Sequence, residues 1–270
     1  MPRPLIILAL LAMSAPAAGV EFSSATISDL HQLVGVVGST SALVNLPVFP
    51  ERLTFEVRWG IIEVGNATLE AAKLVNFAGK TAVNVVSEAT SNGFCDTFYK
   101  VRDLNESWIN AATASSLGYS KKLREGHFFR DEWVLFNSDK GQFLSKTTGR
   151  GGNFAYKSGT IPASVQDILS SLYYIRTKTL TLGSEITLDV NTKDNWPLVV
   201  RVIKKERIRT PAGTFNTVLI EPALRQEGIF IQKGKRLQIW LSDDARKMPV
   251  LMKVQVFFGH ITASLLKVQP

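Results

Sequence analysis

The sequence predicts a mainly β protein: a large curled antiparallel sheet, barrel or half-barrel like, with one short packed helix. Three observations carry this. Apolar and polar residues alternate over many short runs, turn-forming clusters separate those runs, and a single stretch has helical spacing instead.

The first residues read as an address rather than as structure. Arg3 supplies a positive start, Leu5 to Leu11 a short apolar run, and Ala15-Pro16-Ala17-Ala18 the small residues of a cleavage site, so a signal peptide is expected over residues 1–18. The apolar run is shorter than the roughly 20 residues needed to span a bilayer. The expected location is periplasmic or secreted. Residues 19–49 are rich in Ser, Gly, Val and Thr, with Glu21 and Asp29 as their charges, and read as a flexible linker with one short helical turn around Ile27 to Val34. The antiparallel β-domain is then expected over residues 50–270.

Within that domain, Leu53-Thr54-Phe55-Glu56-Val57-Arg58-Trp59 places an apolar residue at every second position. A strand sends successive side chains to opposite faces, so this segment has one buried and one wet face. The period returns at Val200 and Val202, at Leu237, Ile239 and Leu241, and at Met252, Val254, Val256 and Phe258. Turns are expected at Asn92-Gly93, Asp139-Lys140-Gly141, Pro211-Ala212-Gly213 and Lys233-Gly234-Lys235. Some ten strands joined by such short turns make an antiparallel meander.

Ser164 to Arg176 departs from the pattern. Val165, Ile168, Leu169, Leu172 and Tyr173 fall at helical spacing, with Ser164 as the expected N-cap and Asp167 as the acidic partner of a capping box. A helix of about three turns is not stable alone in water and has to pack on the sheet. One such helix covers little of the apolar face that ten strands present, so the sheet is expected to curl around an interior.

Composition narrows the chemistry. One Cys among 270 residues excludes an intramolecular disulfide framework and Cys-rich metal centres, and three scattered His leave little for metal catalysis. No cofactor and no metal are expected. A net charge of +8 biases encounters towards anionic surfaces. In an exported protein those are lipid head groups, glycolipids and anionic envelope polymers. Nucleic acid is not expected as a partner, because export removes the chain from it and no motif interleaves the bases with aromatics.

Several stretches resemble a bacterial exported family, Domain of Unknown Function 3108. They are Phe49-Pro50-Glu51-Arg52-Leu53-Thr54-Phe55-Glu56-Val57 followed by Gly65-Asn66-Ala67-Thr68-Leu69, then Arg102-Asp103-Leu104-Asn105-Glu106-Ser107 and Asp167 to Arg176. Arg209-Thr210-Pro211-Ala212-Gly213-Thr214-Phe215 and Ile239 to Val250 follow in the same order. The resemblance spans about residues 49 to 266. It implies an exported, mostly β protein and brings no catalytic residues with it.

Residues with chemical potential have simpler readings. Asp243-Asp244, beside Arg246 and Lys247, could serve acid–base hydrolysis of an envelope polysaccharide, but adjacent aspartates before Pro249 fit a tight turn better. His127 has Asp131 and Glu132 nearby, yet no Gly-x-Ser-x-Gly turn supplies a nucleophile. Cys95 stands beside Asp96, which opposes thiolate formation. Gly149-Arg150-Gly151-Gly152-Asn153 lacks the Lys-Ser/Thr of a phosphate-binding loop and reads as a hairpin tip. Lys121-Lys122-Leu123-Arg124, Lys204 to Arg209 and Lys233 to Arg236 read first as solvated faces and second as attraction to anionic polymers.

These readings point away from catalysis and towards an envelope protein that binds an apolar or amphipathic component inside the curl. The expected lining residues are Phe55, Val57, Trp59, Tyr173, Ile239, Met252, Val254 and Phe258. An envelope protein as an assembly partner is the second expectation.

Overall fold

The structure, a computed structural model, describes residues 27–35, 46, 50–224, 236–256 and 258–269. The expected signal peptide, most of the expected linker and the turn at Lys233 to Lys235 lie outside the described residues.

The chain begins with a 3-10 turn at Leu30–Leu33 and a short strand β1 (Val34–Gly35). Three long strands follow: β2 (Glu51–Trp59), β3 (Ile62–Phe77) and β4 (Lys80–Ser91). A single helical turn α1 (Gly93–Asp96) leads into β5 (Arg102–Asn110), β6 (Ser116–Glu125), β7 (Phe128–Asn137), β8 (Gln142–Gly149) and β9 (Phe154–Thr160). Next come α2 (Ile168–Arg176), β10 (Glu185–Asn191), β11 (Asn195–Thr210) and β12 (Gly213–Leu224). The last strands are β13 (Leu237–Ser242), β14 (Pro249–Gln255) and β15 (His260–Gln269).

Fifteen strands among the described residues form one sheet, in the order β10-β11-β12-β13-β14-β15-β2-β3-β4-β5-β6-β7-β8-β9, with β1 on β3. The ladder pairs are antiparallel, as short turns require. The last strand meets the first of the long strands in the middle, since β15 pairs β2. Register shifts at Val57/Arg58, Ala71/Lys73, Trp108/Ile109, Val202/Lys204, Trp240/Leu241 and Leu265/Lys267 mark bulges. Each bulge bends its strand, so the long strands curl instead of lying flat.

The two free edges approach each other without forming a ladder. Asn195 Nδ2 donates to the Thr160 carbonyl at 2.6 Å, and Lys157 Nζ pairs with Asp194 at 2.6 Å. The sheet is therefore a barrel-like curl closed by side chains.

In β2, Glu51, Leu53, Phe55 and Val57 are buried while the residues between them are not, which identifies the inner wall. Helix α2 lies against that wall. Tyr173 shares a buried cluster with Phe55, Leu69, Val83, Val85, Ile109 and Leu265. Two residues on, Ile175 shares another with Val190, Val200, Val218, Ile220, Ile239 and Leu241. A nine-residue helix reaches both groups of strands only from inside the curl. It acts as a plug.

The helix starts later than its spacing predicts. Asp167, not Ser164, is the N-cap: its Oδ1 accepts from Leu169 N–H at 2.8 Å and Ser170 N–H at 3.1 Å. Ser170 Oγ returns the bond, accepting from Asp167 N–H at 2.8 Å. Gln166 is bridged to Val190, so the chain before Asp167 is held extended.

The outer wall is covered too, which corrects the linker expectation for Leu30 to Gly35. Leu30 is fully buried with Phe77, Ala82, Trp108, Leu117 and Trp133, and Val34 pairs with Phe77 in β3. Phe77 and Trp108 stack at 4.7 Å. Gly118 permits this packing, since a Cβ there would lie 2.8 Å from the Val134 carbonyl. Apolar residues at spacing 27, 30 and 33 bury more surface on the wall than in solvent, so this stretch belongs to the fold.

Candidate functional site

The strand register arranges the inner wall in rows. One row runs Leu265, Phe55, Ala67, Ala89, Asp103 from β15 to β5. The next row towards the strand ends runs Ala263, Val57, Gly65, Ser91. On the other flank Ile239 faces Met252, which faces Ala263, and Val254 faces Ile261, which faces Trp59.

The expected lining residues separate along these rows. Phe55 and Tyr173 are fully buried against each other's neighbours, with Met252 packed on the same cluster. Ile239 belongs to the second cluster, where Met252 joins it. Val57 is buried, while Met252 and Val254 are half-buried. Trp59 closes its strand and is partly exposed. Phe258 does not continue β14, because that strand ends at Gln255. Val256 N–H donates to the Gly259 carbonyl at 3.2 Å, and Gly259 takes φ +78°, which places Phe258 within the β14–β15 turn. The Trp59 indole N–H donates to the Phe258 carbonyl at 2.7 Å, so those two residues meet at the rim and not in the interior.

At the margin of the plug the inner wall is thin. Gly65, Ala67, Ala89 and Ala263 have little or no side chain; Ala67, Ala263 and Met252 pack on the edge of the Tyr173 cluster, and together with Ala89 and Val254 they retain partial exposure. Large residues plug the helix end of the curl, and small ones line the end where β2, β4 and β14 finish.

The sequence reading missed the polar part of this wall. Asp103 and Glu125 are buried on it, one facing Ala89 and the other bridged to Val101. Burial pushes both carboxyls up. The backbone N–H of Arg124 donates to Asp103 Oδ1 at 2.9 Å, and Glu125 lies near enough to feel the Asp103 charge, which favours one proton shared by the pair. Burial and the charge of Asp103 raise Glu125 to about 8. The buried Tyr99 hydroxyl is pushed up by the same burial and by both acids. Arg130 Nη1 is buried nearby in sequence and register, without a hydrogen-bond partner among the described residues. Tyr119, Lys121, Leu123 and Glu125 alternate, and that period was the available signal.

A second polar group sits deeper. Glu132 Oε1 pairs with Lys121 Nζ at 2.9 Å and Oε2 with Lys193 Nζ at 2.8 Å, and Tyr119 OH donates to Oε1 at 2.9 Å. Burial pushes Glu132 up, and the two ammonium groups outweigh it, so its carboxyl lies below the usual range. Asp167 also accepts from the Ser107 and Ser116 hydroxyls, each at 2.6 Å.

The residues weighed for catalysis have structural partners among the described residues. Asp244 Oδ1 accepts from Ser242 Oγ at 2.7 Å and from Arg246 N–H at 3.0 Å, and Asp243 pairs with Lys205 at 2.8 Å. Both aspartates hold a turn. Cys95 lies in α1, its N–H donating to Asn92 Oδ1 at 2.9 Å. His31 pairs with Asp29 and Glu106, each at 2.7 Å, and His127 lies in an exposed turn. Among the described residues no three His, Cys, Asp or Glu are placed to hold a metal ion, and no helix is long and apolar enough to cross a membrane.

The fold has solved relatives. A β-barrel-like protein of domain of unknown function DUF1849 from Brucella abortus superposes with a TM-score of 0.55 at 12% identity, covering 83% of this chain and 98% of that one. A protein with a YmcC-like fold from Bacteroides fragilis matches at TM-score 0.37 and 7% identity, covering 82% of this chain and 96% of that one. A candidate lipoprotein from Parabacteroides distasonis matches at TM-score 0.30 and 9% identity, covering 85% of this chain and all of that one. No curated protein matches the sequence. The model of the family described as "Protein of unknown function (DUF3108)" matches residues 54–266, and the chain belongs to that family.

Proposed function

We propose that this is an exported, non-catalytic β-barrel-like domain that holds an apolar or amphipathic component of the cell envelope, a lipid or glycolipid, between the α2 plug and the open end of the curl. One observation carries the reading: at the edge of the plug and towards the open end, the inner wall is lined by Ala67, Ala89, Ala263 and Gly65 beside half-buried Met252 and Val254. A tightly filled core interdigitates large side chains, whereas a run of small ones leaves room. The ligand's chains would lie against Val57, Met252 and Val254. Its polar group would lie towards Asp103, Glu125 and Arg130.

Native mass spectrometry of the protein purified from its own compartment tests this. A reproducible lipid or glycolipid adduct is expected, and it should fall at least tenfold when Ala67→Trp and Ala263→Trp together fill the space while the chain still melts cooperatively. Wild-type protein that carries no amphiphile, or an adduct indifferent to both tryptophans, overturns the reading.

A further inference from the structure

We propose that the open end of the curl is a membrane-docking rim that inserts apolar side chains into the interface of a phospholipid bilayer. This goes beyond a bound amphiphile, because it concerns the outer tips of the sheet and not its interior.

The register places three neighbouring connections at the same end: the β2–β3 turn, the β4–β5 connection that contains α1, and the β14–β15 turn. Each one displays large apolar residues. Ile61 is 91% exposed, Phe98 77%, Phe94 67%, Phe258 65% and Ile62 52%. Scattered exposed apolar residues are ordinary, but a concentration on adjacent tips marks an interaction surface.

The tips are not loose. Gly60 N–H donates to the His260 carbonyl at 3.0 Å, and the Trp59 indole donates to the Phe258 carbonyl, which fastens the first turn to the third. Asn92 N–H donates to the Val64 carbonyl at 2.9 Å, and its side chain donates to the Glu63 carbonyl at 2.8 Å, which fastens α1 to β3. Phe94 and Phe98 meet edge to face at 5.6 Å. The chain thus holds these residues outward at the cost of their exposure.

The chemistry behind the tips favours a bilayer over a protein groove. Arg58 and Lys100 are exposed just behind the apolar residues, where head-group phosphates would lie, while the Arg102 guanidinium is held by Asp96 and the Ser91 and Val101 carbonyls. Glu56, Glu63 and Asp96 are the acids there; Arg58 pairs with Glu56, and Arg102 with Asp96 at 2.5 Å. The chain as a whole carries +8. Phe, Ile and Trp at the tips with Arg and Lys behind them match the layering of a membrane interface. A flat partner also engages three turns at once, which a single peptide strand does not.

The test is co-sedimentation of the chain with phosphatidylcholine vesicles and with vesicles of phosphatidylcholine and phosphatidylglycerol. Binding is expected to the second set, weakened but not abolished by high salt. Ile61→Asp with Phe98→Asp should reduce it at least tenfold, with the circular-dichroism melt unchanged because both sites are exposed. A wild-type chain that sediments with neither set overturns the proposal, as does a double variant that binds like wild type. Light scattering that shows a dimer broken by the same substitutions, without vesicle binding, also overturns it and names a second copy as the occupant. Vesicle binding and the mass-spectrometric adduct are separate measurements, so either reading can fail alone.

Discussion

Arg176 and Glu51 form a buried, two-pronged ion pair, Nη1 to Oε1 at 2.9 Å and Nη2 to Oε2 at 2.8 Å, that joins the last turn of the plug to the first residue of β2. Arg176 Nε also donates to the Arg246 carbonyl at 3.2 Å. The helix is thereby anchored at its C-terminus by charge and at its N-terminus by Asp167. Two long-range anchors compensate for a helix too short to hold itself.

Arg176→Met is expected to cost about 3–5 kcal/mol, because it leaves the Glu51 carboxylate buried and unpaired. Adding Glu51→Gln should recover a large part of that loss. Urea unfolding of the two single variants and the double variant measures the coupling. A purely additive double variant would show that the pair does not act as a unit.

Asp167→Ala removes a helix cap and strips two buried serine hydroxyls of their acceptor. A cap is worth about 1 kcal/mol, and a stranded buried hydroxyl about 1–3 kcal/mol. A loss of about 3 kcal/mol is expected, seen as a lower urea midpoint with the slope unchanged.

Glu125 sets a pH dependence of defined sign. An unfolded glutamate titrates near 4.5, while the folded one holds its proton to about 8. Its contribution is complete below pH 4.5 and is lost as pH rises through 8. Glu125→Gln retains a donor for Asp103 and does not ionise. Its Tm should exceed that of wild type by several degrees near pH 9 and match it near pH 5. A constant difference across that range would remove the shared proton from the account.

Glu132 behaves in the opposite way, since Lys121 and Lys193 hold its pKa below the ordinary value. Its contribution is present above about pH 4.5 and is lost as pH falls through the folded value. Glu132→Leu should cost about 3–5 kcal/mol at neutral pH by leaving two ammonium groups without their partner. Thermal melts of this variant across the acid range are expected to lack the part of the acid-side decline that Glu132 contributes.

Much of the architecture was legible in residue order. The alternation in Leu53 to Trp59 and in Leu237 to Leu241 marked strands that exist, and Pro211-Ala212 marked the two-residue turn that joins β11 to β12. Ser164 misled because capping preference is local, whereas Ser107 and Ser116, on strands far off in the chain, select Asp167. Leu30 reads as linker in the sequence because its partners Phe77, Trp108 and Trp133 come from three separate strands. Asp103 and Glu125 gave no adjacent signal at all; only a shared sheet face makes them a pair.

Periodicity and turn chemistry therefore determined by themselves that the chain is a curled antiparallel sheet with one packed amphipathic helix, because those are properties of neighbouring residues; the single turn α1 gave no such period. Tertiary structure alone decided that the helix plugs one end, that small residues line the other and that Ile61, Phe98 and Phe258 share a rim. Each of these depends on register between strands, and a strand's faces acquire an inside only when the sheet closes.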